Sequence, residues 1–274
     1  MSQDANSDAP ALDWTRIRLV YGAVAVTLFL ASLGQTVVTT ALPTIVGELG
    51  GLDQITWVIT AYLLAATVGA PVFGKLGDLF GRKIVLQSGI GVFLFGSLIC
   101  AAAPNIWMLV AGRAVQGIGG GGLIVVSMAT VADVLPPRQR GRFQGALGAV
   151  FGVSTVIGPL VGGFIVQHFH WTWIFLLNLP IGAIVLAILT VILEKAPPRG
   201  RPSIDVQGAF CLALTLALLV LVASTGGRML PWSSPTMLAM IGAALLALVA
   251  FILTERRAVE PILPLSLFTI NNFV

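Results

Sequence analysis

The sequence predicts an all-α polytopic membrane protein, and three observations carry that prediction. Of 274 residues, 57% are hydrophobic and only 9% charged, with a mean hydropathy of +0.98. A soluble domain carries about 25% charged residues. Eight apolar segments recur along the chain, each near the ~20 residues that cross ~30 Å of hydrocarbon. Thirteen of the fifteen Lys and Arg residues fall in alternate connections between those segments, the asymmetry expected of inner loops. Backbone groups in hydrocarbon must bond within their own segment, so the spans are helices. A β-barrel would instead show alternating segments of about ten residues, which this sequence does not contain.

Residues 1–18 read as a polar inner tail with Asp4, Asp8 and Asp13. It lacks the basic start and small-residue cleavage site of a signal peptide, so the first span is expected to be retained. The spans are placed at about 19–41, 55–74, 84–103, 106–129, 143–166, 173–193, 206–225 and 236–254. With the N-terminus inside, the inner segments hold Arg16 and Arg18; Lys75, Arg82 and Lys83; Arg138, Arg140 and Arg142; Lys195, Arg199 and Arg201; and Arg256 and Arg257. Arg228 falls in an outer loop. The net charge of +4 is thus a topology signal and points to no nucleic-acid partner. Trp57, Trp107, Trp171, Trp173 and Trp232 lie near outer span ends, as an aromatic belt does, and Trp14 near the inner start of span one. The linker Glu194–Ser203 holds three prolines and a glycine, which stop a helix. It divides a six-helix bundle (19–193) from an additional helix pair (204–254). Residues 255–274 read as an inner loop leading into a further, truncated span.

Arg113 is the one charged residue inside an apolar run, in Leu109-Val-Ala-Gly-Arg113-Ala-Val-Gln116-Gly117. At mid-bilayer a guanidinium costs about 2.5–3.5 kcal/mol on insertion scales, so it must face the bundle interior, a partner or a water-filled cavity. In Gly74-Lys-Leu-Gly77-Asp78-Leu-Phe-Gly81-Arg82-Lys83, the glycines permit tight turning, and Asp78 is expected to cap the next helix start. Asp78 and Arg82 can pair in one conformation and part in another, a latch; the plainer alternative is a positive inner loop with a capping Asp. Asp133, at the inner end of span four, is expected to pair with Arg82 or Arg142, or to be a solvated helix-end carboxylate. Gly145, Gly148, Gly152, Gly158, Gly162 and Gly163 recur at roughly helical spacing in span five, around Pro159. Small residues admit close helix contact and Pro159 removes a backbone donor, the makings of a pivot or simply of tight packing. Gly117–Gly122 lies inside a span with no strand before it and no Lys-Ser/Thr, which argues against a phosphate loop and for helix contact. Cys100 and Cys211 sit at different depths, against a disulfide. His168 and His170 lack a third ligand and read as solvated outer-loop residues. No cofactor or metal motif is present, and no residue cluster points to an enzyme.

The Gly74–Lys83 run resembles the G-x-L-x-D-x-x-G-R-K signature of the major facilitator superfamily, between spans two and three as in that family. Arg113-x-x-Gln116-Gly117 resembles its span-four motif, and Gly158-Pro159-Leu-Val-Gly162-Gly163 the span-five motif associated with antiporters. The extra helix pair, followed by Glu260-Pro-x-Leu-Pro-Leu-x-Leu-Phe, resembles the fourteen-span drug/proton antiporter branch, of which this chain would hold the first eight spans. The resemblance implies a major facilitator type bundle in the plasma (inner) membrane that exports hydrophobic or amphipathic small molecules against protons by alternating access. It implies Gln35, Arg113 and Gln116 on the substrate and proton pathway. It places Gly74, Asp78, Gly81, Arg82, Lys83 and Asp133 in the inner latch, and Gly158, Pro159, Gly162 and Gly163 at the pivot. A periplasmic adaptor would join in a double-membrane bacterium. The branch resembles L-D-x-T-x-V-x-x-A-L-P in span one, where this chain reads Leu33-Gly34-Gln35-Thr36; Gly34 stands where that branch has its membrane carboxylate. The alternatives are export of one endogenous metabolite, or a truncated membrane protein that does not transport.

Overall fold

A computed structural model describes residues 14–193, 205–227 and 229–258. The distal tail, the whole linker (194–203), Arg228 and the Glu260–Val274 run lie outside the described residues. The described residues form nine α-helices and one 3-10 turn: α1 (Trp14–Leu49), the turn Leu52–Gln54, α2 (Ile55–Phe80), α3 (Arg82–Ala101), α4 (Ile106–Val134), α5 (Pro137–His168), α6 (Trp173–Leu176), α7 (Asn178–Ile192), α8 (Val206–Thr225) and α9 (Pro235–Glu255). Eight spans are long and apolar enough to cross a membrane, α6 and α7 together making the sixth. A lone bridge joins Gly226 and Leu230, and the described residues hold no β-strand.

Helix ends follow local chemistry. Gly50 and Gly51, at φ of 71° and 87°, stop α1, a conformation glycine takes without steric cost. Asn105 caps α4 through the Met108 N–H at 2.9 Å. Ser234 caps α9 through the Met237 N–H with Pro235 at the first helical position, where its missing N–H is harmless.

Several expected span ends were too short. The first is a 36-residue helix that continues through Pro43. α2 runs six residues past Gly74 to Phe80, because polar Lys75 and Asp78 end the hydropathy without ending the helix. Asp78 therefore sits in the last turn of α2 and does not cap α3; the Gly81 N-cap of α3 makes no side-chain bond. Of the glycines between Gly74 and Gly81, only Gly81 takes a positive φ, 88°, and it alone makes the turn.

α4 is the hub. It packs against α2, α3 and α1, while α1 also packs along α5 and α7. α1 and α4 are accordingly the most buried spans, at 61% each. α8 and α9 pair with each other, and α8 rests on α2. The α2–α4 contact is a backbone seam. A methyl at Gly117, Gly121 or Gly69 would strike backbone atoms of Tyr62, Ala66 or Ile118 respectively, and one at Gly119 would strike the Phe93 backbone of α3. The Gly117–Gly122 run is thus the close helix contact that its composition implies.

Candidate functional site

Arg113 is the eighth residue of α4, so it lies about 10 Å along the helix from its start. It is only 2% exposed. Its Nη1 donates to the Gly34 carbonyl of α1 at 3.1 Å and to Gln116 Oε1 at 2.5 Å, and its Nε to the Val58 carbonyl of α2 at 3.4 Å. The guanidinium carbon stands 4.1 Å from the Tyr62 ring centroid, a cation–π contact strengthened by desolvation. Tyr62 in turn donates its hydroxyl to the Ala31 carbonyl at 3.2 Å.

The cluster continues beyond the arginine. Gln116, fully buried, donates to Ser97 Oγ of α3 at 2.6 Å. Asn178, the first residue of α7, donates to the same oxygen at 3.2 Å, and Ser97 Oγ itself donates to the Phe93 carbonyl. The hydroxyl thus uses its one donor and both acceptor sites. Five helices meet in one hydrogen-bonded unit with a single formal charge. Among the described residues the acids are Glu48, Asp53, Asp78, Asp133, Asp205 and Glu255, all at helix ends or connections. The Arg113 charge therefore has no carboxylate partner and rests on carbonyl dipoles and an aromatic face.

Sequence reading named Arg113 and Gln116 but missed Tyr62, Ser97 and Asn178. Asn178 carried a signal, as the lone carboxamide in Leu176-Leu-Asn-Leu-Pro180; Ser97 and Tyr62 carried none. Gln35 is half-buried, one residue beyond Gly34 on α1, and is not part of the cluster.

A second group lies at the opposite end of the bundle, where α2 meets α3 and α4 meets α5. Arg82 Nη2 contacts Asp78 Oδ1 at 2.5 Å and its Nε contacts Asp133 Oδ2 at 2.9 Å. Of the two partners expected for Asp133, it is Arg82 that it meets. Both carboxylates are more than half exposed, so each pair is worth at most about 1 kcal/mol; such contacts can open. Arg82 Nη1 also reaches the Gly74 carbonyl at 3.4 Å. Lys83 acts elsewhere: its Nζ donates to the Thr190 and Leu193 carbonyls of α7, both at 2.6 Å. A cation on the last carbonyls of a helix satisfies orphan acceptors and opposes the negative end of its dipole. Lys83→Met is expected to destabilise the protein by about 1–2 kcal/mol, read as a lower midpoint of thermal unfolding in detergent, with Lys83→Arg largely preserving it.

In α5, the expected glycine face is only partly used. A methyl at Gly158 would strike Thr36 of α1, whose Oγ1 donates to the Ser154 carbonyl at 3.2 Å, and one at Gly162 would meet the Val37 carbonyl at 2.8 Å. Gly145, Gly148, Gly152 and Gly163 face open space instead. Their expected close contact is absent within the described residues; α1 meets α5 through other positions, at Phe143 and Ser154 as well as along Gly158–Gly162. Pro159 lies within the continuous helix.

One peripheral expectation, that for Trp171, is corrected, and His168 and His170 are exposed. Trp171 is 2% exposed and donates to Glu48 Oε2 at 2.9 Å, a buried anchor with no place in an aromatic belt. His170 Nε2 lies 3.0 Å from the same carboxylate. His168 is the last residue of α5, stacked on Phe164 at 4.5 Å. Cys100 and Cys211 are free thiols. Among the described residues no three His, Cys, Asp or Glu side chains group as metal ligands.

Comparison with known proteins agrees with this architecture. The sequence profile of the Major Facilitator Superfamily matches residues 24–265. The chain is 40% identical over 258 residues to the multidrug transporter protein MdtP of Bacillus subtilis, covering 94% of this chain and 48% of that protein. It is 39% identical over 261 residues to the efflux pump FUS6 of Gibberella moniliformis, covering 92% and 46%. The chain thus spans about half the length of the curated relatives it matches. The crystal structure of the human organic anion transporter MFSD10 superposes with a TM-score of 0.62 at 20% identity, over 81% of this chain and 59% of that one; at this identity the likeness is one of fold.

Proposed function

Since the chain belongs to the Major Facilitator Superfamily and is a multi-pass membrane protein, we propose that it forms the first part of an exporter of hydrophobic or amphipathic small molecules. The observation that carries this reading is the buried Arg113–Gln116–Ser97–Asn178 cluster. A charged group held inside a membrane bundle at such cost marks a transport or proton pathway. Relatives named as a multidrug transporter and an efflux pump support export as the direction. In this reading the helices rock between two access states. The Arg82–Asp78–Asp133 contacts hold one state, and Gly158, Pro159 and Gly162 form the seam on which α1 and α5 turn. The six-helix bundle and the α8–α9 pair are the first eight of fourteen spans. The N-terminus lies in the cytoplasm and the membrane is the plasma membrane. Protons drive the exchange, through carboxylates that lie outside the spans described here.

The test is flux. The complete gene product carrying this sequence is expressed in an efflux-deficient strain, and accumulation of several lipophilic fluorescent probes is followed. Expressing cells should accumulate less, and a protonophore should abolish the difference. Equal accumulation across the panel would sink the export reading. A difference that survives the protonophore would sink proton coupling alone.

A further inference from the structure

We propose that the cleft between α1 and α5 at the Arg82 end of the bundle binds an organic anion with an aromatic or apolar body, its acid group met by Arg18 and Arg142. The cleft has a volume of about 480 Å³ and is lined by Trp14, Arg18, Tyr21, Gln139, Arg142 and Phe143, with Ala146 behind them. That volume lies within the range of small-molecule sites. Its lining divides by chemistry. Trp14, Tyr21 and Phe143 supply an apolar wall, and Tyr21 and Phe143 are locked edge to face with centroids 5.2 Å apart. The Tyr21 hydroxyl also reaches the Phe143 carbonyl at 3.4 Å, so the wall is fixed to both helices.

The other side of the cleft is cationic. Among the described residues neither Arg18 nor Arg142 pairs with a carboxylate, in contrast to Arg82, and no acid lines the cleft. Gln139 points a buried carboxamide oxygen at no hydrogen-bond partner among the described residues. Rotation of that carboxamide presents its NH₂ group instead, a donor for an anion. Gln139 and Arg142 lie in the first two turns of α5, whose cap makes no side-chain bond. The positive end of that helix adds to the field. Two forked guanidinium groups suit a planar or tetrahedral oxyanion, and the aromatic wall suits the body attached to it. The two guanidinium charges oppose a cation there.

The ligand chemistry has two sources, a soluble organic anion taken up for export or the headgroup of an anionic lipid. The first names the substrate class for the export reading above. Occupancy is measured here without flux, so failure of either reading leaves the other standing. The full chain is placed in phosphatidylcholine nanodiscs, and energy transfer from tryptophan is followed to 5-dimethylaminonaphthalene-1-sulfonate and to its uncharged sulfonamide. The sulfonate should bind about tenfold more tightly, and Trp14→Phe should remove part of the transfer while the sulfonate stays the tighter ligand. Arg18→Gln with Arg142→Gln should erase the preference by bringing the sulfonate down to the affinity of the sulfonamide, whereas Arg18→Lys with Arg142→Lys should retain part of it, which separates charge from misfolding. In discs enriched in phosphatidylglycerol, displacement of the sulfonate identifies a lipid headgroup as the occupant, and undisturbed binding identifies a soluble anion. Equal affinity for the two probes, or a preference that survives removal of both arginines, overturns the proposal.

Discussion

Gly121→Leu is expected to prevent the bundle from assembling. A Cβ at this position would stand 2.6–2.7 Å from the carbonyl carbon and Cα of Ala66, well inside van der Waals contact. Those atoms belong to the backbone of α2, so no side-chain rotation relieves the clash. Overpacking a core by a few methylenes costs about 1–3 kcal/mol when neighbours can shift. Here the neighbour is a helix that carries Val58 and Tyr62 of the buried cluster and Asp78 at its far end. Separating α2 from α4 therefore disturbs both groups at once, and the expected cost exceeds about 3 kcal/mol. The check is the yield of monodisperse protein by size exclusion in detergent, with Gly91→Ala beside it. Gly91 has nothing within 4 Å of its missing Cβ, so alanine there should be neutral or stabilising by about 0.5–1 kcal/mol. A Gly121→Leu protein with unchanged yield and unfolding midpoint would refute the backbone seam.

Arg113→Ala should reduce export to the level of cells without the protein. The guanidinium joins α1, α2 and α4 through three acceptors and the Tyr62 face. Removing it leaves Gln116 Oε1 without its donor in a dry interior, which costs about 1–3 kcal/mol. Part of the loss could come from stability, so Arg113→Lys separates the two effects. Lysine keeps the charge but lacks the planar fork that reaches two carbonyls and a carboxamide together. It should fold and reach the membrane in normal amounts, yet export at least about tenfold more slowly. Export by Arg113→Ala at the unaltered rate, normalised to protein in the membrane, would remove the arginine from the pathway.

Much of the architecture was legible because lipid imposes a single strong rule. A span must be about 20 apolar residues, and the eight runs met that rule. Where the rule is silent, the sequence misled. Lys75 and Asp78 lower hydropathy inside a helix whose hydrogen bonds continue regardless, so α2 looked six residues too short. Leu177 separates α6 from α7 inside an apolar run where the adjacent Asn178 is the single polar mark of the break. In the candidate site Arg113 was visible because a charge in an apolar run has few explanations. Ser97 and Tyr62 were not, because a hydroxyl in a membrane helix ordinarily bonds back to its own turn, as Thr27 does with Ala23. Their roles depend on which helices come to lie beside them, and that is a property of packing. Trp171 failed for the same reason: its position near a span end resembled a belt residue until Glu48 was found beneath it.

The glycine seam between α2 and α4 has an electrical consequence. Two helix backbones in contact along Gly69, Gly117 and Gly121 leave no gap large enough for a water molecule, which needs a polar space of its own. Without water there is no wire along which a proton can hop or an ion keep its hydration. The seam is therefore an insulator as well as a joint. No leak path runs between these two helices.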